Sequence, residues 1–130
     1  MAESDHQRNF FGYGSRPPDP KWPGQARLAL NIVVNYEEGS ELSPLYGEPF
    51  SEATLTDAGA MNMNVPGRDL AAESMFEYGS RVGFWRIFDL LNRLQLVATY
   101  SAAAVALEKN PEAAAALRES QHEVLAHGWR

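Results

Sequence analysis

Residues 28–39, LALNIVVNYEEG, contain the strongest strand signal in the chain and decide the fold that we predict. Residues 28–36 are almost continuously apolar and rich in β-branched side chains, a pattern typical of a strand buried on both faces of a parallel sheet. Glu37 and Glu38 follow directly, and Gly39 comes next. Because ligands in α/β folds bind at the carboxyl ends of strands, we expect this acid pair at a functional edge of the sheet.

The rest of the chain predicts a long loop, several helices and two further strands. The predicted elements are a loop over 39–70, a helix over 82–94 that starts after Gly79 and Ser80, a strand over 96–100, alanine-rich helices over 102–108 and 111–119, and a strand over 122–126. A loop of this length is typical of a functional segment or a lid. Asn110 and Pro111 are a favourable cap and first residue for the last helix.

Strands and helices that alternate in this order predict a parallel sheet with right-handed crossovers. The carboxyl ends of such strands meet at one edge, so we expect Glu37, Glu38 and His127 to lie there together. Three strands are too few to close a barrel, which takes about eight, and a small parallel sheet with free edges is poorly buried. We therefore predict that the chain is part of a larger α/β fold.

The composition fits one domain and disfavours several classes of protein. The chain has 130 residues, a net charge of -6 and no cysteine. The acidic charge disfavours nucleic-acid binding, and the lack of cysteine excludes disulfides, thiolate metal ligands and a cysteine nucleophile. No stretch has the length of a signal-peptide core or of a membrane span, so we expect a cytoplasmic protein without membrane partners.

The beginning of the chain is expected to be irregular. Pro17, Pro18, Pro20 and Pro23 interrupt helices and sheets alike, whereas the aromatic residues of this segment argue against free disorder. We predict an arm over residues 1–26 that packs on a body formed by residues 27–130.

Three titratable side chains at the predicted edge are candidates for catalysis. Glu37 and Glu38 point to opposite faces of an extended backbone, and adjacent carboxylates commonly divide the work of accepting a proton and binding or orienting a ligand. The alternative is a pair of solvated loop glutamates before a turn. His127 ends the last strand, whereas His122 opens that strand at its opposite end and is expected to be structural.

Three further side chains are candidates for substrate binding. Arg81 offers a planar guanidinium to an anionic or carbonyl-rich substrate, although a salt bridge to Glu73, Glu77 or the strand glutamates is an equally good interpretation. Glu73 belongs to the same stretch of sequence and is the second candidate. Trp129 either lines a pocket beside His127 or packs on the edge of the sheet.

Three blocks of this sequence resemble successive motifs of the polysaccharide deacetylase-like superfamily. They are NYEEG at 35–39, ESMFEYGSRVG at 73–83 and HEVLAHGWR at 122–130. The middle block is the most specific, and the blocks are most similar to the cofactor-independent allantoinases of urate degradation and to related cyclic-imide hydrolases. The resemblance covers nearly the whole chain but only the N-terminal portion of such an enzyme.

The resemblance implies an irregular (β/α) barrel of about seven strands, incomplete in this chain, that hydrolyses a carbon–nitrogen bond in a small cyclic amide or imide. Glu37 and Glu38 take the places of an aspartate pair, a base and a metal ligand, in the deacetylase branch. His127 matches the first of two histidines there. In the allantoinase branch no metal is expected, so the implied catalytic set is Glu37, Glu38 and His127 without a cofactor.

Two alternatives stand beside this function. One is a deacetylase of chitin or peptidoglycan that uses a divalent metal such as zinc, and the other is a non-catalytic assembly module derived from such an enzyme. In each case the rest of the barrel is expected from a C-terminal part or from another copy of the chain. We therefore expect an oligomer.

Overall fold

The computed structural model describes residues 10–56 and 66–130. The chain divides into two compact units, Met1–Leu30 and Asn31–Arg130. The described part of the first unit contains a single-turn 3₁₀ helix at Pro23–Gln25, and the second unit contains the sheet and the longer helices. The packing of an arm on a body stays a prediction.

Three short strands form the parallel sheet that the sequence predicts. They are β1 (Val33–Tyr36), β2 (Thr99–Ala102) and β3 (Glu123–Ala126), in the order β1-β2-β3. Tyr36 lies opposite Ala102, and Ala102 lies opposite Ala126. The carboxyl ends of the three strands are therefore level with one another, and we call this border of the sheet the carboxyl edge.

The first two strands begin later than the sequence predicts. β1 begins at Val33 because its partner strand begins only at Thr99, whose N–H donates to the Ile32 carbonyl at 2.9 Å. The start of β2 is delayed because the Leu96 N–H still donates to the Leu91 carbonyl at 3.0 Å, within the last turn of the preceding helix. β3 begins one residue after the predicted start.

A helical run precedes β2, and two shorter helices connect β2 to β3. The α-helices in the described residues are α1 (Leu70–Tyr78), α2 (Phe84–Arg93), α3 (Ala104–Lys109) and α4 (Pro111–Glu119), and a π-helical segment at Gly79–Gly83 joins α1 to α2. The prediction that the first helix starts near residue 82, after Gly79 and Ser80, is wrong. The Asp69 carboxylate accepts hydrogen bonds from the N–H groups of Ala71 and Ala72 and starts the helix at Leu70.

The last helix agrees with its prediction in range and in cap. Pro111 is its first residue, and the Asn110 side-chain oxygen accepts a hydrogen bond from the Ala113 N–H at 3.1 Å. α3 begins at Ala104, two residues later than predicted, because β2 extends to Ala102.

The long loop is irregular over its described parts, as predicted, and its residues 57–65 lie outside the described residues. A 3₁₀ turn at Pro44–Tyr46 and a bridge between Phe50 and Gly67 give it local order. Ser51 Oγ accepts a hydrogen bond from the Asp69 N–H at 3.0 Å and donates one to Glu73 at 2.7 Å. These bonds connect the loop to the first turn of α1.

Helices cover one face of the sheet, which we call the helix face. Tyr36 and Tyr100 lie on it, and their rings pack against Phe84 of α2 at centroid separations of 5.1 and 5.8 Å. Because side chains alternate along a strand, Val33 projects to the opposite face, which we call the open face, and it is 53% exposed. The prediction that the first strand is buried on both faces is therefore wrong.

The core lies between the helix face and the helices. Its buried members are Tyr36, Phe84, Leu91, Ala98, Tyr100, Ala102, Ala103, Ala106, Ala113 and Leu117. The alanines of α3 and α4 let these helices approach the sheet closely, whereas α2 contributes its large aromatic side chains. Within residues 10–56 and 66–130, the helices are too short or too polar to cross a membrane.

Candidate functional site

The two adjacent glutamates after β1 separate to opposite faces of the sheet. Tyr36, the residue before them, points to the helix face and is buried there. Glu37 therefore continues the open face, and Glu38 continues the helix face, where it lies against Gly79 of the π segment. The two carboxylates therefore meet different partners, although both line one small cavity.

Glu37 meets His127 at the carboxyl edge. The Glu37 Oε1 atom lies 3.1 Å from His127 Nδ1, and the two side chains are 37% and 40% exposed. Glu37 and His127 each directly follow the last residue of their strand. Because the three strands end level with one another, the two side chains meet beyond the end of β2. The predicted meeting of the acidic pair and the terminal imidazole at one edge therefore holds for Glu37.

The backbone around His127 is fixed by the start of α3. The His127 N–H donates to the Ala102 carbonyl at 3.0 Å, and the Gly128 carbonyl accepts from the Ala104 N–H at 3.0 Å. Gly128 has a φ of 112°, a conformation that side chains disfavour. The chain can thus turn directly after the imidazole and keep the ring on the open face.

Glu38 lies in a more enclosed place between β1 and the π segment. Its carboxylate accepts a hydrogen bond from the Glu37 N–H at 3.3 Å. Burial raises the pKa of Glu38, backbone hydrogen bonds oppose this shift, and the negative charges of Glu37 and Glu41 add to it. A carboxyl group with a raised pKa is a candidate acid or base, so the environment of Glu38 keeps it among the candidate residues.

A cavity of about 560 Å³ opens on the helix face beside Glu38. Its walls come from the loop, the run from α1 to α2 and the junction of α3 with α4, and they include Glu73, Arg81, Trp85, Lys109 and Asn110. Glu37 and His127 are not among its lining residues. A smaller cavity of about 340 Å³ has both Glu37 and Glu38 in its lining, and it shares Glu38, Glu41 and Phe76 with the first cavity.

The predicted substrate-binding side chains Arg81 and Glu73 line this cavity. Arg81 pairs with Glu77 at 2.7 Å, which is the salt-bridge interpretation of its role. Hydrogen bonds from Arg68 and Ser51 hold the pKa of Glu73 below its ordinary value. Neither side chain is among the lining residues of the smaller cavity that contains Glu37.

Trp129 and His122 lie beyond opposite ends of β3. The Trp129 ring is exposed, and its carbonyl accepts a hydrogen bond from the Val105 N–H at 3.1 Å. His122 lies at the opposite end of β3, where its Nδ1 accepts from the Ala98 N–H at 3.2 Å and its ring contacts Phe88 and Tyr100. The prediction that His122 is structural agrees with this placement.

Asn110 and Lys109 organise the cavity in a way that the sequence did not reveal. Beyond capping α4, Asn110 donates from Nδ2 to the Tyr36 hydroxyl at 2.9 Å. The Lys109 ammonium donates to the Gly39 carbonyl and lies 3.2 Å from the centre of the Tyr46 ring. The sequence predicts the cap from the Asn-Pro pair, but these long-range contacts have no local signal.

The described residues do not form a complete metal site. A divalent metal belongs to the deacetylase alternative, and catalytic zinc sites use three protein ligands. Glu37 and His127 provide two neighbouring donors, and nowhere in residues 10–56 and 66–130 do three or more His, Asp or Glu side chains form a cluster that would hold a metal ion.

Gly79→Ala is predicted to destabilise the chain by about 1–3 kcal/mol, the usual cost of overpacking. A Cβ atom on Gly79 would lie 2.5 Å from Glu38 Oε1 and 2.6 Å from its Cγ. In a Glu38→Ala background the same change should be neutral or stabilising by up to about 1 kcal/mol, because alanine favours helices over glycine. Urea unfolding of the four variants measures the coupling, and equal effects in both backgrounds would contradict the contact.

Glu38→Gln is predicted to change the pH dependence of stability. The pKa of Glu38 is raised in the folded chain, so folding favours its protonated form, and this contribution is lost as pH rises from the ordinary carboxyl range through the raised pKa. The difference in unfolding free energy, Gln variant minus native, should therefore grow between pH 4 and neutrality and then level off. A difference that is constant or falls with pH would contradict the prediction.

The fold and the site together define a class of protein. Its members have a parallel α/β fold with a carboxylate–imidazole pair at the carboxyl edge of the sheet. No protein-family model matches the chain. Over 125 residues the chain is 43% identical to a protein of Schizosaccharomyces pombe named "Putative polysaccharide deacetylase", a match that covers 95% of this chain and 39% of that protein.

Two solved structures are similar to the chain in both fold and sequence. One is the crystal structure of PuuE allantoinase, with a TM-score of 0.81, 41% identity, and coverage of 97% of this chain and 42% of that one. The other is titled "probable Polysaccharide deacetylase" from Pseudomonas aeruginosa PAO1, with a TM-score of 0.81, 42% identity, and coverage of 95% and 41%. The chain thus spans about 40% of the length of these relatives, and the predicted resemblance to the polysaccharide deacetylase-like superfamily is confirmed.

Proposed function

We infer that the chain contributes the carboxylate–imidazole part of a hydrolase that acts on carbon–nitrogen bonds other than peptide bonds. The 3.1 Å contact between Glu37 and His127 at the carboxyl edge carries this proposal. Such a pair can take a proton from water, which is the first requirement for hydrolysing an amide. The similarity to PuuE allantoinase favours a small cyclic amide or imide as substrate.

The geometry supports a distinct role for each member of the pair. His127 Nδ1 lies 3.1 Å from Glu37 Oε1. In this proposal Nδ1 donates a hydrogen bond that orients the carboxylate, and Oε2 accepts the proton of a water molecule. The water oxygen adds to the substrate carbonyl carbon and forms a tetrahedral oxyanion. The carbon–nitrogen bond then breaks, and the leaving nitrogen receives the proton from Glu37. His127 acts as a positioning residue in this scheme.

The remaining part of the barrel must come from outside the 130 residues in this proposal. Two observations support this requirement: the chain covers 41–42% of the two related structures, and the open face leaves apolar side chains such as Val33 and Leu125 exposed. A closed barrel would bury both of these side chains in its interior.

A glycan deacetylase is the second candidate. The names of the S. pombe and P. aeruginosa relatives favour it. Its reaction would break an acetamido carbon–nitrogen bond and release acetate, and Glu37 and His127 are the described donors that a divalent metal would meet. The two candidates therefore differ in substrate and in metal dependence but share the same edge of the sheet.

The test is a complementation assay. The chain is mixed with a polypeptide that carries the part of the P. aeruginosa protein outside the matched region, and allantoin, succinimide and an acetylated chitooligosaccharide are offered with and without added zinc. Ring opening of allantoin or succinimide supports the first candidate, and zinc-dependent acetate release supports the second. Absence of turnover in every combination, with binding of the two polypeptides demonstrated, would leave only the non-catalytic assembly module.

A further inference from the structure

Glu37 is the first residue of a four-residue turn that follows β1. The Ser40 N–H donates to the Glu37 carbonyl at 2.8 Å, and Ser40 Oγ donates to the same oxygen at 2.6 Å. Gly39, the third residue of the turn, has a φ of 107°, and a positive φ at this position favours glycine. Because the carbonyl and the side chain of Glu37 share one Cα atom, the position of the turn sets the direction of the carboxylate.

The junction of α3 with α4 holds the residue on each side of the acid pair. Before the pair, the hydroxyl of the buried Tyr36 accepts a hydrogen bond from Asn110 Nδ2 at 2.9 Å. After the pair, the Gly39 carbonyl accepts a hydrogen bond from the Lys109 ammonium. Two consecutive residues of the junction therefore bind both ends of the segment that contains Glu37.

The Lys109 side chain contacts the turn along its length. Its ammonium lies 3.2 Å from the centre of the Tyr46 ring, within the range of a cation–π contact. Its Cδ atom would lie 3.5 Å from a Cβ atom on Gly39, so the alkyl chain packs against this glycine. A hydrogen bond from a charged donor is stronger than one between neutral groups. The ring, the glycine and the carbonyl together hold the Lys109 side chain in one direction.

α3 contacts the backbone that follows each member of the Glu37–His127 pair. At its start, the Ala104 N–H donates to the Gly128 carbonyl at 3.0 Å, and at its end, Lys109 binds the turn that begins at Glu37. An α-helix of this length is about 9 Å long, and its internal hydrogen bonds keep its ends at a fixed separation. α3 therefore sets the separation of the two segments from which the carboxylate and the imidazole meet.

We propose that Lys109 is a positioning residue that fixes Glu37 opposite His127. It acts through the Gly39 carbonyl and does not contact the reacting atoms. The inference rests on the proposed function, because Glu37 is the base of that reaction. Without the ammonium, the segment keeps its attachment at Tyr36 but loses the one at Gly39, so we expect the chain to fold while the carboxylate no longer has a single position.

The first measurement reports this geometry without any turnover. In the native chain, NMR should detect nuclear Overhauser effects between the imidazole protons of His127 and the γ protons of Glu37, because Oε1 lies 3.1 Å from Nδ1. Lys109→Met keeps a long unbranched side chain but removes the donor, and we expect these effects to be lost. Lys109→Arg keeps a charged donor and should retain them. Arg118→Met is the matched control, since this cation of α4 is 78% exposed, and it should leave the effects unchanged.

The second measurement is turnover in the protein complemented with the P. aeruginosa polypeptide. A catalytic group displaced by about 1 Å can lower the rate by about 10²-fold. We therefore expect Lys109→Met to lower kcat by about 10–10²-fold with little change in KM, and Lys109→Arg to restore most of it. A structural role alone would reduce the folded fraction, which urea unfolding of each variant measures, but would not separate kcat from KM in this way.

Tyr46→Leu is a second variant that leaves α3 unchanged. It removes the ring beside the ammonium and should weaken the same nuclear Overhauser effects. Full retention of these effects in folded Lys109→Met would overturn the proposal, as would their retention in Tyr46→Leu if Lys109→Met does not fold. Their absence from the native chain or from Lys109→Arg would also overturn it. Loss of the effects in Lys109→Met and their return in Lys109→Arg, without hydrolysis by the native protein, would retain the positioning role and count against the proposed function alone.

Discussion

Glu37→Gln is expected to lower the rate of carbon–nitrogen bond hydrolysis in the complemented protein by about 10²–10⁴-fold, the usual contribution of a general base. Glutamine keeps the size of the side chain but has no carboxylate to accept a proton from water. Its amide oxygen can still accept the hydrogen bond from His127, whose Nδ1 lies 3.1 Å from the native carboxylate. The measurement is steady-state turnover of allantoin and succinimide, with binding of the partner polypeptide verified for each variant.

The adjacent glutamate provides the matched control. Glu38→Gln removes the same charge one residue away, but that side chain lies on the helix face against Gly79. We expect it to retain most of the activity and to change mainly the pH dependence of stability. Equal losses from the two substitutions, or a larger loss from Glu38→Gln, would contradict the assignment of the base to Glu37.

Phe84→Ala is expected to destabilise the chain by about 3–5 kcal/mol, the usual cost of removing a buried aromatic ring. Phe84 is buried, and its ring contacts Tyr36, Tyr100, Trp85 and Phe88. Phe84 thus packs α2 against both β1 and β2, and its loss would leave a cavity between these three elements. Because small domains have a total stability of about 5–15 kcal/mol, this one change takes up a large share of it.

Urea unfolding followed by circular dichroism measures the effect. Leu90→Ala on the same helix is the control, because this residue is 43% exposed and its truncation should cost clearly less than loss of the buried Phe84 ring. A loss of similar size for both variants would show that the core does not depend on the aromatic contacts of Phe84.

The elements that the sequence predicted correctly have strong local signals. The apolar run before Glu37 and the run before His127 both contain strands of one parallel sheet. The Asn110-Pro111 cap and the helix after it were also predictable, since an N-cap bonds within its own first turn. These features depend on neighbours a few residues apart, so a single sequence contains the necessary information.

The errors occur where distant contacts override a local preference. Gly79 indicates a helix start by its low helix propensity, yet the helical run passes through it, and Glu38, from another element, occupies the space that a side chain there would fill. The ends of β1 likewise depend on where β2 begins to pair with it. The contact of Glu38 with Gly79 and the pairing of β1 with β2 have no signal within a window of ten residues, whereas the Asp69 cap that starts α1 is a local signal.

By itself the sequence determined that the chain alternates strands and helices, that its strands run parallel, and that Glu37 and His127 come directly after two of them. Patterns of period two and period 3.6 and local capping residues are sufficient for that much. Only the tertiary structure decided that Glu37, and not Glu38, meets His127, and that Arg81 lines a cavity beside Glu38. The physical reason is that strand pairing sets the register, and a shift of one residue would exchange the faces of both glutamates.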